Sequence, residues 1–160
     1  MVILTDENSS FDSFPIISLE KFLTEKSKQA LEEAANSVDY ALTNFGAFYL
    51  IDHGIEARVL DKVLKDLKTF FLKPVEEKRI YELKDNYRSA VDDLAFSLKK
   101  ILSTAMGQEE NFLEKLTYRA APMMKANFYP ACEKMSKDQP RLAEHTDVVP
   151  MTIMLQDDTK

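Results

Sequence analysis

The chain is 160 residues long, 45% hydrophobic and 30% charged, with 3 glycines and no tryptophan, a balance that fits one globular, helix-leaning domain, or one domain with part of another, and argues against disorder away from the ends. A net charge of −6 and a pI near 5.0 argue against a nucleic-acid face, which needs clustered Lys and Arg to neutralise phosphates. No apolar run approaches the roughly 20 residues of a membrane helix, and the lone Cys132 leaves no intrachain disulfide, so the expectation is an intracellular, cytoplasmic protein with neither a membrane nor a nucleic-acid partner.

Met1 to Ser13 starts apolar and then carries Asp6, Glu7 and Asp12, a pattern of neither a signal nor a transit peptide, and reads as a loose polar tail. Phe14-Pro15-Ile16-Ile17-Ser18-Leu19 reads as an edge strand, because proline near its start removes a donor that an edge does not need. From Thr24 the period changes: Thr24 or Ser27 caps a helix in which Ala30, Leu31, Ala34, Ala35, Val38, Ala41, Leu42 and Phe45 recur at three- and four-residue spacing. Gly46 ends it. Ala47 to Ile51 reads as a buried strand closed by Asp52-His53-Gly54.

A second amphipathic helix starts near Glu56, with Val59, Leu60, Val63, Leu64, Leu67, Phe70 and Phe71 on one side, and Pro74 stops it. Val75 to Ile80 adds a further turn, and Tyr81 to Asn86 is a polar connection. A third helix spans about Tyr87 to Met106, with Val91, Leu94, Leu98, Ile101, Leu102 and Ala105 inward and Gly107 as its stop. Asn111 to Leu116 reads as a short helix, Met123 to Tyr129 as a strand ended by Pro130, Ala131 to Pro140 as a polar, mobile turn, and Pro150 to Gln156 as a final strand. The pattern is helix-rich through residue 116 and strand-rich after it.

The chemistry concentrates at His145-Thr146-Asp147. Side chains two apart on extended backbone project to the same face, so an imidazole and a carboxylate can reach one metal ion. That donor pair suits iron(II), for which two His and one carboxylate on one octahedral face leave three positions open. The bland alternative is a surface turn in which Asp147 accepts backbone N–H bonds and His145 is solvated. His53, beside Gly54, reads as a hydrogen-bonded turn residue rather than a ligand or base. Cys132 reads as a packed or solvated thiol, since nothing near it marks a lowered pKa. Met123, Met124, Met135, Met151 and Met154 fit alternating apolar strand positions better than a soft-metal site. Glu32-Glu33, Glu76-Glu77 and Glu109-Glu110 fit solvated helix faces or helix starts.

Five segments in order resemble motifs of the plant-type 2-oxoglutarate- and iron(II)-dependent dioxygenases, the isopenicillin N synthase-like family. Phe14-Pro15-Ile16-Ile17-Ser18 resembles that family's "P-x-I-D/S-L" start, and Gly46-Ala-Phe-Tyr-Leu-Ile-Asp-His53-Gly54-Ile55 resembles its "G-F-F-x-x-x-N-H-G-I". Phe70-Phe71-Leu-Lys-Pro74-Val-Glu-Glu-Lys78 resembles "F-F-x-L-P-x-E-E-K". Asn127-Phe-Tyr129-Pro130-Ala-Cys132 resembles "N-Y-Y-P-x-C", and His145-Thr-Asp147 with Thr152 to Asp157 resembles "H-T-D … T-I-L-L-Q-D".

The resemblance implies an α+β fold, a helical N-terminal region (14–116) after the tail (1–13), packed on an incomplete double-stranded β-helix, or jelly roll (117–160). It implies that His145 and Asp147 are two of three iron ligands and that Asn127 and Tyr129 help hold 2-oxoglutarate. The implied activity oxidises a small organic substrate with O2 and releases succinate and CO2. The family's second His and its R-x-S lie beyond the position of Lys160, and its connection after the E-E-K is longer than Tyr81 to Tyr87. The expectation is therefore a centre one ligand short, impaired turnover in this short chain, and self-association through exposed strand edges. The competing expectation is a non-catalytic fragment or pseudoenzyme acting as a protein-interaction module.

Overall fold

The computed structural model describes residues 2–3, 14–78, 86–120, 122–130, 145–147 and 149–157. Residues 4–13 of the expected tail, 79–80 of the expected further turn, 81–85 of the expected connection and the turn at 131–140 with Cys132 and Met135 lie outside them.

Ser27 starts the central helix as its composition requires. Its hydroxyl accepts from the Ala30 N–H at 3.1 Å, satisfying one of the orphan donors of the first turn. The helix runs Lys28–Phe45 and ends at Gly46, which takes φ 73°, a left-handed conformation that glycine adopts without a Cβ penalty. Its apolar positions Leu31, Ala34, Ala35, Val38 and Ala41 are all buried. They pack on a second long helix, Asn86–Ala105, through Leu94, Leu98 and Ile101. Small alanines along one helix let the other approach closely while larger residues fill the seam.

A short helix, Glu20–Glu25, precedes the central one. The sequence pattern gives no sign of it, since none of its residues is fully buried. Lys21 ties it down by donating to Glu33 at 2.5 Å, a hydrogen bond that holds the Glu33 carboxyl below the usual carboxylate range. In chain order the helices are thus α1 (Glu20–Glu25), α2 (Lys28–Phe45), α3 (Ala57–Leu72), α4 (Val75–Lys78), α5 (Asn86–Ala105) and α6 (Phe112–Thr117).

The strands are β1 (Val2–Ile3), β2 (Ile16–Ser18), β3 (Tyr49–Ile51) and β4 (Met154–Leu155), in spatial order β2-β3-β1-β4, with every pairing parallel. Parallel neighbours need a long crossover, and α1 with α2 supplies it between β2 and β3. β2 is an edge strand, as its proline predicts. Ile17 pairs with Leu50, Leu50 with Ile3, and Ile3 with Leu155; Ile17, Leu50 and Leu155 of this cross-strand row all pack into the helical core. In the adjacent row, Ile16 and Met154 are each 49% exposed, and Tyr49 is covered by an edge-on contact from Phe14 at 6.0 Å.

Two expectations are corrected. Val2–Ile3 is not part of a loose tail: two β-branched residues supply the backbone that joins β3 to β4. Met123 to Tyr129 is not a strand either: it runs outside any ladder, with Met123 and Met124 exposed. The alternation of apolar residues there has no strand to pair with among the described residues, and Phe128 instead stacks on Phe71 of α3 at 5.3 Å and 13°. Among the described residues after 117, the strand is β4.

α6 is started by a residue from another helix. Its own cap position, Asn111, makes no side-chain capping hydrogen bond. Ser103 of α5, fully buried, accepts from the Leu113 N–H at 3.1 Å and donates to the Lys99 carbonyl at 2.7 Å. Lys99 adds an ion pair with Glu114 at 2.9 Å. Removing the hydroxyl in Ser103→Ala strands a buried N–H, so urea unfolding should show a loss of about 1–3 kcal/mol; an unchanged midpoint would show that α6 does not depend on this hydrogen bond.

Candidate metal centre

The backbone brings two of the four sequence-predicted site residues together. His145 Nε2 lies 3.4 Å from Asp147 Oδ1, and the side chains are 53% and 49% exposed. Two ligands on adjacent positions of an octahedral ion, with bonds of about 2.1 Å, have donor atoms about 3 Å apart. The observed separation is close to that value, and an imidazole with a carboxylate is a donor chemistry that iron(II) accepts. Among the described residues, no group of three or more His, Cys, Asp and Glu is placed to hold a metal.

The other Asp147 oxygen is already engaged. Thr152 donates its hydroxyl to Oδ2 at 2.7 Å. The chain bends at Val149 and Pro150 and then alternates: Met151, Ile153 and Leu155 are half-buried against the core, whereas Thr152 and Met154 face outward. The Thr152 hydroxyl therefore stands on the solvent side, beside the carboxylate. Sequence reasoning takes Thr152 only as one letter of a motif. The signal for its role is a hydroxyl at an outward position of the alternation, shortly after a proline turn that folds the strand back toward Asp147.

Asn127 and Tyr129 are exposed, Tyr129 by 50%, on the segment that Phe128 pins to Phe71. The stacking joins two of the ordered segments, Phe70-Phe71 and Asn127-Phe-Tyr129.

His53 is a buried turn residue, as its place beside Gly54 suggests. Its Nδ1 accepts from the Ile55 N–H at 3.1 Å, which fixes a ring with no proton on that nitrogen. The turn uses left-handed backbone at two positions, Asp52 with φ 50° and Gly54 with φ 80°, which residues of these types adopt most readily. A Cβ at Gly54 would stand 3.3 Å from Leu23 Cδ1. Ser18 closes the same corner by donating to Asp52 at 2.5 Å. Of the methionines, Met151 packs inward on the run that precedes β4, and the acidic pairs Glu32-Glu33, Glu76-Glu77 and Glu109-Glu110 are exposed.

Against known proteins, residues 14–147 match the model of the family described as "non-haem dioxygenase in morphine synthesis N-terminal". The chain is 25% identical to naringenin,2-oxoglutarate 3-dioxygenase of Petunia hybrida over 201 residues, covering 94% of this chain and 54% of that protein. It is 26% identical to 1-aminocyclopropane-1-carboxylate oxidase 4 of Arabidopsis thaliana over 194 residues, covering 92% and 58%, and 24% identical to leucoanthocyanidin dioxygenase of Malus domestica over 210 residues, covering 94% and 57%. The chain spans little more than half the length of these curated relatives. The alignments are longer than the 160-residue chain itself, so the relatives also carry residues inside the matched region that this chain does not have.

The structural role of His53 is open to a direct check. His53→Ala leaves the Ile55 N–H without its acceptor in a buried turn and should lower the unfolding free energy by about 1–3 kcal/mol. Chemical denaturation measures it, and a variant as stable as the parent would show that the imidazole is dispensable to the turn.

Proposed function

Because the chain belongs to the 2-oxoglutarate- and iron(II)-dependent non-haem dioxygenase family, we propose that its chemistry is the oxidation of a small organic substrate with O2, with 2-oxoglutarate as co-substrate and succinate and CO2 as co-products. The observation that carries the reading is the convergence of His145 Nε2 and Asp147 Oδ1 at 3.4 Å. These two atoms would hold iron(II), which when bound supplies the oxygen chemistry. Half exposure leaves the donors reachable by small co-substrates. Asn127 and Tyr129 would contact 2-oxoglutarate, a role supported by the match of their segment to the family pattern and by the polar groups they present to solvent.

In this reading the residues after 117 belong to the family's jelly-roll core. The packing of Met151, Ile153 and Leu155 against the helices supports that placement. With two donors brought together among the described residues, the 160-residue chain binds iron(II) weakly and turns over slowly. Loss of outer-sphere partners already costs about 10–100-fold in metal affinity, and an inner donor weighs more.

Anaerobic iron(II) titration of the 160-residue chain should give a measurable affinity that falls at least tenfold, on the order of the outer-sphere losses, in His145→Ala. Equal affinities would sink the assignment. Succinate release from 2-oxoglutarate should stay near background; rapid release would show that two donors suffice.

A second reading, a non-catalytic interaction module, is favoured by a specific surface. Ile16 and Met154 lie half-exposed at the two ends of one cross-strand row, on the edge strands β2 and β4. Unpaired edges recruit other strands, and the partner this reading names is a second copy of the chain. Light scattering on the purified chain should then report a dimer or larger species, whereas a stable monomer at all concentrations would remove it.

A further inference from the structure

We infer that Thr152 is the residue that orients the Asp147 carboxylate for metal binding, a reading that rests on the metal function proposed for His145 and Asp147. Asp147 is half-exposed, and a carboxylate on a mobile side chain presents either oxygen in many directions. Thr152 removes that freedom by donating to Oδ2 at 2.7 Å, which leaves Oδ1 as the oxygen turned toward His145 Nε2. A hydroxyl-to-carboxylate bond is charge-assisted and stronger than a neutral one. A β-branched side chain also has few χ1 choices, so the donor itself is held.

The position of Thr152 is in turn fixed from below. Met151 and Ile153, its two neighbours, pack into the core, as does Leu155, and β4 pairs with Val2–Ile3. A one-residue slip of this segment would move Thr152 to the core side and a hydrophobic residue to the carboxylate. The route from fold to centre is thus core packing, then the outward hydroxyl, then the carboxylate. Thr152 is a positioning residue, since its contact is with Asp147 and not with the ion.

The test is anaerobic iron(II) titration of the 160-residue chain and of three variants, with thermal melts recorded in the absence and presence of iron(II). Thr152→Val keeps the shape and removes the hydroxyl. It should weaken iron(II) binding about tenfold or more, within the range of outer-sphere losses. Its metal-free melt should match the parent, because Thr152 is exposed, while its metal-induced rise in melting temperature shrinks. Thr152→Ser should bind close to the parent. His145→Ala should bind weakest. If His145→Ala weakens binding and Thr152→Val does not, Thr152 has no positioning role and the centre stands without it. If Thr152→Ser falls as far as Thr152→Val, the methyl group and not the hydroxyl matters, and the inference is overturned. If His145→Ala binds like the parent, the metal function itself fails and this inference with it.

Discussion

The region around the candidate centre depends on three apolar side chains, Met151, Ile153 and Leu155, packing at alternate positions onto a helical core. The backbone ladder of β4 covers only Met154–Leu155, too few hydrogen bonds to set a register against competing slips. Burial sets it instead, because the side-chain period of extended backbone is two and one slip exchanges the two faces. The core that receives these residues is built by α2 against α5, and it reaches the sheet through the row containing Ile17 and Leu50. Packing of helices formed early in the chain thereby determines where a carboxylate near residue 147 is held.

The helices were largely legible in the sequence because their signals are local. Ser27 and Gly46 mark the ends of α2, the inward positions of α5 recur at helical spacing, and Pro74 closes α3. α1 is not legible: its six residues bury nothing completely, and it is held by partial burial of Phe22 and Leu23 with an ion pair to a glutamate on the next helix. The segment from Met123 to Tyr129 departs from the expected strand for the converse reason. It has strand composition, but composition reports a preference and a strand needs a partner; what the fold offers Phe128 is the ring of Phe71. Val2–Ile3 shows the same rule in reverse, since a two-residue apolar start becomes a strand where β3 and β4 flank it.

The same division holds at the site. His145 and Asp147 were visible because a spacing of two is a local statement about facing, and their juxtaposition follows from it. Thr152 and Ser103 were not visible as partners, because each acts across a turn or between helices, and hydroxyls of this kind are common in any sequence. The place of His53 between an aspartate and a glycine agrees with what the turn holds, an imidazole that accepts from a buried N–H. Family membership rested on several such segments in order, and the match over residues 14–147 spans all but the last of the motif residues.

In the metal-binding reading proposed for His145 and Asp147, half exposure of both side chains decides which physical lever matters most. In a buried site the low dielectric strengthens each metal–ligand attraction and carries much of the affinity. At His145 and Asp147 water competes, and salt screens the carboxylate. The term left for the protein to control is the freedom that two side chains lose when an ion binds between them, of order 0.5–1.5 kcal/mol for each rotamer-rich side chain that is immobilised. A carboxylate already held by a hydroxyl has lost part of that freedom before the ion arrives. In that reading, orientation of Asp147 and not the strength of its charge is the property through which the fold would tune iron(II) binding.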